Sequence, residues 1–289
     1  TQTRLPFDLF THRPRPDIFF SMTHYAPRFA PMPTVVAIMD LGFLQTPEQF
    51  TSQDFNQLKS WTAYSVKNAT KVIAISEYTK KDIIKNYHKN PADIVVTLLG
   101  YNAKLFKQIN KPKKPYILFL SSLKPSKNVE GLIRAFYELR TTNYELVIAG
   151  KKAWLYEKIF ALVNQLGLEN KVKFTGFVDE ATKVTLMQEA SVYVLPSFHE
   201  GFGIPVLEAM ACGTPVVVSQ VASLPEVAGD AGIYVDPYNT ESIAQGIMDA
   251  IGPERSRRVN RGLKRVKLFS WAKTATTTLK VLESAFNQV

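Results

Sequence analysis

The chain has 289 residues, 46% of them hydrophobic and 21% charged, with a net charge of +10. That length fits about two domains with sizeable cores, and the balance excludes a disordered or fibrous chain. One cysteine, Cys212, excludes an internal disulfide, and no stretch approaches the ~20 apolar residues of a membrane span.

The opening TQTRLPFDLFTHRPRP lacks the apolar core of a signal peptide, so the expectation is a cytoplasmic protein. Short apolar runs then alternate with longer segments of helical periodicity. Strands are expected at 17–21, 34–39, 71–75 and 93–99, with helices at 54–69 and 77–88. KQINKPKKP, residues 107–115, is polar, basic and proline-bearing, and reads as a linker. Beyond it come strands at 116–120, 144–150, 172–174, 191–196, 214–219 and 231–236. The helices between them fall at 128–140, 152–166, 179–190, 205–212 and 240–251. Two more, at 253–266 and 270–287, close the chain without a following strand. Such alternation is the signature of parallel sheets with crossover helices on both faces, an α/β chain of Rossmann-like units. The expected domains are 1–106 and 116–269, with the last helix, 270–289, crossing back onto the first. Four strands make a thin sheet, and residue 1 is not methionine, so the first domain is expected to lack its beginning.

Chemistry concentrates in FHEGFGIPVLEAMACGTPVVV, residues 198–218. It follows a strand, and open α/β sheets bind ligands beyond the carboxyl ends of their strands. Glycines allow close backbone approach, Pro205 suits a first helical turn, and the helix start offers free N–H groups to an anion. Glu208, expected in the first turn, could reach a sugar's vicinal hydroxyls, a contact of roughly 1.5–3 kcal/mol per hydrogen bond. It could equally do no more than complement the helix dipole, worth under about 1 kcal/mol. Spacing alone leaves both readings open. His199 precedes Glu200 and lines the same expected pocket. In SSLKPSKNVEGLIRAF, residues 121–136, Lys127 lies at a strand-to-helix junction, where an ammonium could neutralise a diphosphate. SLPE, residues 223–226, fits a capping box. Cys212 reads as a small buried residue. There is no Asp-x-Asp pair for a divalent metal, so no metal and no cofactor are expected. The run RSRRVNRGLKRVK, residues 255–267, carries seven cations and no acid. It reads first as a solvated helix face and second as a contact with an anionic membrane surface, ahead of nucleic acid.

EGFGIPVLE resembles the Glu-x7-Glu motif of the retaining glycosyltransferases of family 4, which have the GT-B fold: two Rossmann-like doubly wound domains facing a cleft. LKPSKNVEGLIRAF, ELVIAGKKAWLYEKI, KVKFTGFVDE, ASLPEVAGDAGIYVDP and the late FSW resemble the same family in order and spacing. Upstream, VVAIMDLGFLQTPEQF and VIAISEYTKKDI are similar to the second half of its acceptor-side domain. The likeness is to the mannosyltransferase-like branch of polysaccharide and O-antigen synthesis. It implies that Glu200 lies against the donor sugar near the reacting centre. Backbone N–H groups of Gly201, Phe202 and Gly203 would hold sugar and distal phosphate, Glu208 the ribose hydroxyls and Lys127 the diphosphate. The implied reaction is metal-independent, retaining transfer of a hexose, with GDP-mannose the expected donor, to a glycan or lipid-linked acceptor.

Three departures accompany the resemblance. Ser122 and Ser126 stand in the phosphate loop where the family often has an arginine. Met39-Asp40, on the acceptor side, stands where many members have His-Asp. The family's first strands, with their glycine-rich loop, have no counterpart before Thr1, so a missing N-terminal segment or a second copy is an expected partner. These departures feed a rival reading, a degenerate glycosyltransferase-like protein that binds nucleotide sugar or a partner chain without transfer. A dehydrogenase fails for want of a Gly-x-Gly-x-x-Gly turn.

Overall fold

The computed structural model describes residues 3–139, 142–152 and 156–288. The chain divides into two compact units, Thr1–Gly100 with Trp271–Val289, and Tyr101–Ser270.

The first unit opens with α1 (Arg4–Thr11) and β1 (Phe19–Ser21), then β2 (Thr34–Ile38), α2 (Ser52–Asn68), β3 (Lys71–Ala74), α3 (Glu77–Tyr87) and β4 (Ile94–Val96). The strands form one parallel sheet in sequence order. Alternate side chains along a strand point to opposite faces. Val36, Ile38, Val72, Ala74 and Ile94 accordingly pack with Val66 of α2 and Ile83 of α3 on one face. Thr51 and Ser76 start the two helices by accepting from the N–H groups of Asp54 and Thr79, caps worth about 1 kcal/mol each.

The second unit runs β5 (Lys114–Leu120), α4 (Val129–Glu138), β6 (Glu145–Ala149), α5 (Glu157–Gln165), β7 (Val172–Gly176), α6 (Glu180–Glu189) and β8 (Ala190–Leu195). It continues with α7 (Ile204–Ala211), β9 (Val216–Ser219), α8 (Leu224–Ala228), β10 (Gly232–Val235), α9 (Thr240–Ile251) and α10 (Arg255–Arg265). Its six strands are all parallel, in the order β10-β9-β8-β5-β6-β7. Strand order reverses between β5 and β8, and a doubly wound sheet binds its ligand at such a reversal. α11 (Trp271–Phe286) ends the chain and belongs to the first unit. Its Val281 and Ala285 pack on Val35, Ala37 and Ile73, the face of that sheet opposite α2 and α3.

All ten expected strands form. Two helices were not expected. α1 is only 8 residues long, carries Pro6 and has no side-chain cap, so nothing in its sequence marks a helix start. In α8, Ser223 does not cap: its Oγ donates instead to the Glu200 carbonyl at 2.8 Å. The capping box expected at SLPE is therefore corrected: Ser223 has helical backbone angles, φ −82° and ψ −9°, where a capping residue is extended. Of the helix expected at 152–166, residues 153–155 lie outside the described residues, and α5 begins at Glu157.

Candidate active site

The loops after β5 and β8 meet at the strand-order reversal. Asn128, in the left-handed backbone region at φ 54°, ends the first loop. Its Nδ2 donates to the carbonyls of Pro196 (3.1 Å) and Pro237 (2.7 Å), tying that loop to the ends of β8 and β10. The Phe198 N–H donates to the Ser126 carbonyl at 3.0 Å, a second stitch. Lys127 and Glu200, 73 residues apart in sequence, are thereby brought together: Lys127 Nζ donates to Glu200 Oε1 at 2.6 Å. Ser197 Oγ donates to the same oxygen at 2.8 Å. Both charged side chains are largely covered, 13% and 12% exposed, so the pair is screened less than a surface pair. Ser126 is buried and Ser122 half-buried in that loop. Beside it lies a cavity of about 380 Å³ lined by Lys124, Asn128, Arg134, Phe198 and Tyr238.

Gly203 precedes α7 with φ 95°, where a side chain would be strained and a Cβ would come within 2.9 Å of Leu224 Cδ2. This turn aims the start of α7, with Pro205 in its first turn, at the loop holding Glu200. Phe202 does not face a ligand with its ring. It is buried and stacks edge-on against Phe269 at 5.9 Å, so only its backbone is free to take the expected role. The contact also gives the FSW motif a structural meaning, since Phe269 roofs the glutamate loop. Gly201 and His199 are buried in the same loop.

Glu208 sits in the second turn of α7, not the first as expected, because the helix begins one residue early, at Ile204. Its side chain is 7% exposed and has a partner the sequence reading missed, Lys183 of α6. Lys183 Nζ donates to Oε1 at 2.7 Å and lies 2.6 Å from Oε2, so the ammonium engages both carboxylate oxygens. The same ammonium lies 5.0 Å from the centre of the Phe106 ring. Burial pushes the Glu208 carboxyl above its ordinary range, and Lys183 pulls part of that back. No local signal in EATKVTLMQE singles out Lys183; only the packing of α6 on α7 does.

Cys212 is buried as expected, and burial pushes its thiol up to about 12, far from a reactive thiolate. The basic run becomes α10, whose Gly262 lies against Met210 of α7. Several of its cations are engaged within the unit: Arg265 Nε donates to the Val227 carbonyl at 3.0 Å, and Arg261 Nη1 to that of Asp230 at 3.2 Å. In the first unit, Met39 lines an apolar cavity of about 460 Å³ with Phe20, Met22, Ala37 and Trp271. Asp40 Oδ1 accepts from the Gly42 N–H at 2.8 Å. Burial lowers the pKa of His24, and the nearby Asp40 charge offsets part of that. Among the described residues no helix is long and apolar enough to cross a membrane.

The family profile of glycosyl transferases group 1 matches residues 101–262, more than half of the chain and nearly all of the second unit. The chain belongs to that family. The O-antigen chain mannosyltransferase B of Escherichia coli is 30% identical over 262 residues, 85% of this chain and 68% of that protein. The serotype-specific mannosyltransferase WbdA of Escherichia coli is 30% identical over 266 residues, 85% of this chain but only 32% of WbdA. Among solved structures, Anabaena HepE in complex with UDP and glucose superposes with a TM-score of 0.78. It is 22% identical and covers 93% of this chain and 78% of its own. At that identity the likeness speaks for the fold alone, which is GT-B. The expected hexosyltransferase class therefore stands, and the non-transferring alternative gains no support from these relatives.

Proposed function

We propose that the second unit binds a nucleotide-diphosphate sugar and that the protein transfers the hexose with retention of anomeric configuration. The observation that carries this is the Lys127–Glu200 pair at the strand-order reversal, with the start of α7 beside it and Glu208 one helical turn on. In this reading Lys127 and the N–H groups before α7 take the charge of the diphosphate, while Glu200 holds the sugar near its reacting carbon. Glu208 accepts from the ribose, and the buried backbone of Gly201, Phe202 and Gly203 lines the sugar and distal phosphate. The bond between the anomeric carbon and the diphosphate oxygen breaks as the acceptor hydroxyl oxygen bonds to that carbon on the same face. The acceptor's proton passes to the departing diphosphate. Catalysis is then positioning and stabilisation of leaving charge by fixed groups, without a divalent metal.

The mannosyltransferase names of the relatives support mannose as the sugar and a glycan or lipid-linked acceptor. GDP-mannose is the proposed donor, with Met39 and Asp40 as acceptor-side positions. The UDP bound to HepE supports a diphosphate nucleotide as the anchoring group and leaves the base to experiment. The test is transfer from GDP-mannose in excess EDTA to a mannose-terminated oligosaccharide, with the product's linkage read by NMR. Transfer with an α-linkage is expected. Dependence on added metal, or a β-linked product, would overturn the reading.

A further inference from the structure

Nothing in the glutamate motif calls for a lysine on the neighbouring helix, yet Lys183 makes the tightest polar contact Glu208 has. The ammonium reaches across from the first turn of α6, which starts where Asp179 Oδ1 accepts from the Thr182 N–H at 2.8 Å. Phe106, 1% exposed, offers its ring to the other side of Nζ at 5.0 Å. Lys183 is thus held from two sides, with both carboxylate oxygens of Glu208 within 2.7 Å of its ammonium. A carboxylate has about four lone-pair sites, so this ion pair fixes the group and still leaves acceptor capacity for a ligand hydroxyl.

We propose that Lys183 is a positioning residue for nucleotide binding: its ion pair fixes the Glu208 carboxylate in place to accept from a ribose hydroxyl. The inference rests on the donor-site reading above and adds to it a residue on a different element. Its second consequence is electrostatic. The titratable and charged groups that face Glu208 are Lys183 and Glu180 of α6, Tyr193 of β8 and Cys212 just after α7. One layer out, Lys113 bears on Cys212 and Arg255 bears on Lys113. Tyr193 and Cys212 stay neutral, since burial raises both. Of the groups in direct reach, Lys183 is the cation that offsets burial of the carboxylate. Without it, burial and Glu180 both push Glu208 towards its protonated form, and a protonated carboxyl is the poorer acceptor.

The experiment is calorimetric titration of UDP and GDP, and of their 2′-deoxy and 3′-deoxy forms, in EDTA from about pH 6 to 8. The proteins are wild type, Lys183→Met, Lys183→Arg and Glu208→Gln. Wild type should bind one ribonucleotide with little pH dependence and lose roughly tenfold when the contacted hydroxyl is removed. Lys183→Met should bind roughly tenfold more weakly at neutral pH, weaken further as pH falls, and no longer discriminate the deoxy form. Lys183→Arg should restore both affinity and discrimination, which a merely structural role in α6 packing would not require. Should Lys183→Met fail to fold, Lys183→Gln carries the same test, and unchanged affinity and deoxy discrimination in it overturn the positioning role.

Two failures are distinguishable. If wild type binds a ribonucleotide and Lys183→Met binds it equally at every pH, the positioning role is wrong and the donor site stands. If wild type binds neither nucleotide, the donor-site reading falls and this inference falls with it.

Discussion

The second unit carries two lysine–glutamate pairs of nearly the same length, Lys127–Glu200 and Lys183–Glu208, both at 2.6 Å. They differ in what holds them. The first is formed by two loops at the strand-order reversal, and its carboxylate oxygen is shared with the Ser197 hydroxyl. The second is formed by two packed helices, and its carboxylate is the more covered, 7% exposed against 12%. A pair on loops at a sheet edge can rearrange around a phosphate as it binds. A pair between helices is fixed before any ligand arrives. In the proposed reading the loop pair is the reacting end and the helix pair the anchoring end of one extended ligand.

The largest expected effect breaks the loop pair. Lys127→Ala and Glu200→Gln should each lower the rate of sugar transfer by about 10²–10³, the range of a lost charge stabiliser in a preorganised site. Nucleotide affinity should change far more for Lys127→Ala than for Glu200→Gln. Calorimetry beside steady-state kinetics checks this, and equal losses of affinity would mean that Glu200 touches the nucleotide and not the sugar.

A smaller effect comes from the turn that joins the two ends. Gly203→Ala places a side chain at φ 95° and 2.9 Å from Leu224, at a cost of about 1–2 kcal/mol. Chemical denaturation should show that loss with the α/β circular dichroism intact. A neutral result would mean the turn is free to change its hand.

The smallest is a pH signature away from both pairs. Lys113 Nζ donates to the carbonyls of Gln188 (2.7 Å) and Cys212 (3.1 Å) and to Thr214 Oγ1 (2.7 Å). Burial, then the charge of Arg255, lowers its pKa from 10.5 to about 8. A lysine whose pKa is depressed on folding costs stability while it is protonated in both states. The cost is full below pH 8 and is relieved as pH rises from 8 towards 10.5. The difference in melting temperature between wild type and Lys113→Met should therefore shift in favour of wild type across that window, by roughly 2 °C. A flat difference would mean the three acceptors hold the ammonium charged.

What the sequence disclosed follows from the range of its signals. The ten strands were legible because apolar runs such as YILFL and SVYVLP are local and the turns between them are marked. The glutamate loop was legible from its glycines and proline, and Lys127 from its place at a strand-to-helix junction. Their contact was not legible from either segment, because it depends on β5 and β8 being neighbours. Lys183 left no trace in EATKVTLMQE, where charged and apolar residues do not separate into faces. Ser223 misled because its local pattern matches a cap, while the carbonyl that takes its hydroxyl is 23 residues away. Glu208 was placed one turn early because the helix starts at Ile204, ahead of the proline that marked it.

If Glu200 and Glu208 face the two ends of one nucleotide sugar, as proposed, nucleotide affinity must depend on Glu208. GDP, UDP, GDP-mannose and UDP-glucose are titrated calorimetrically in excess EDTA into wild type and Glu208→Ala. One base should bind wild type without metal, and the variant should lose about tenfold for both the nucleotide and its sugar, about 1.4 kcal/mol. No binding to wild type, or affinities that Glu208→Ala leaves unchanged, would contradict the account.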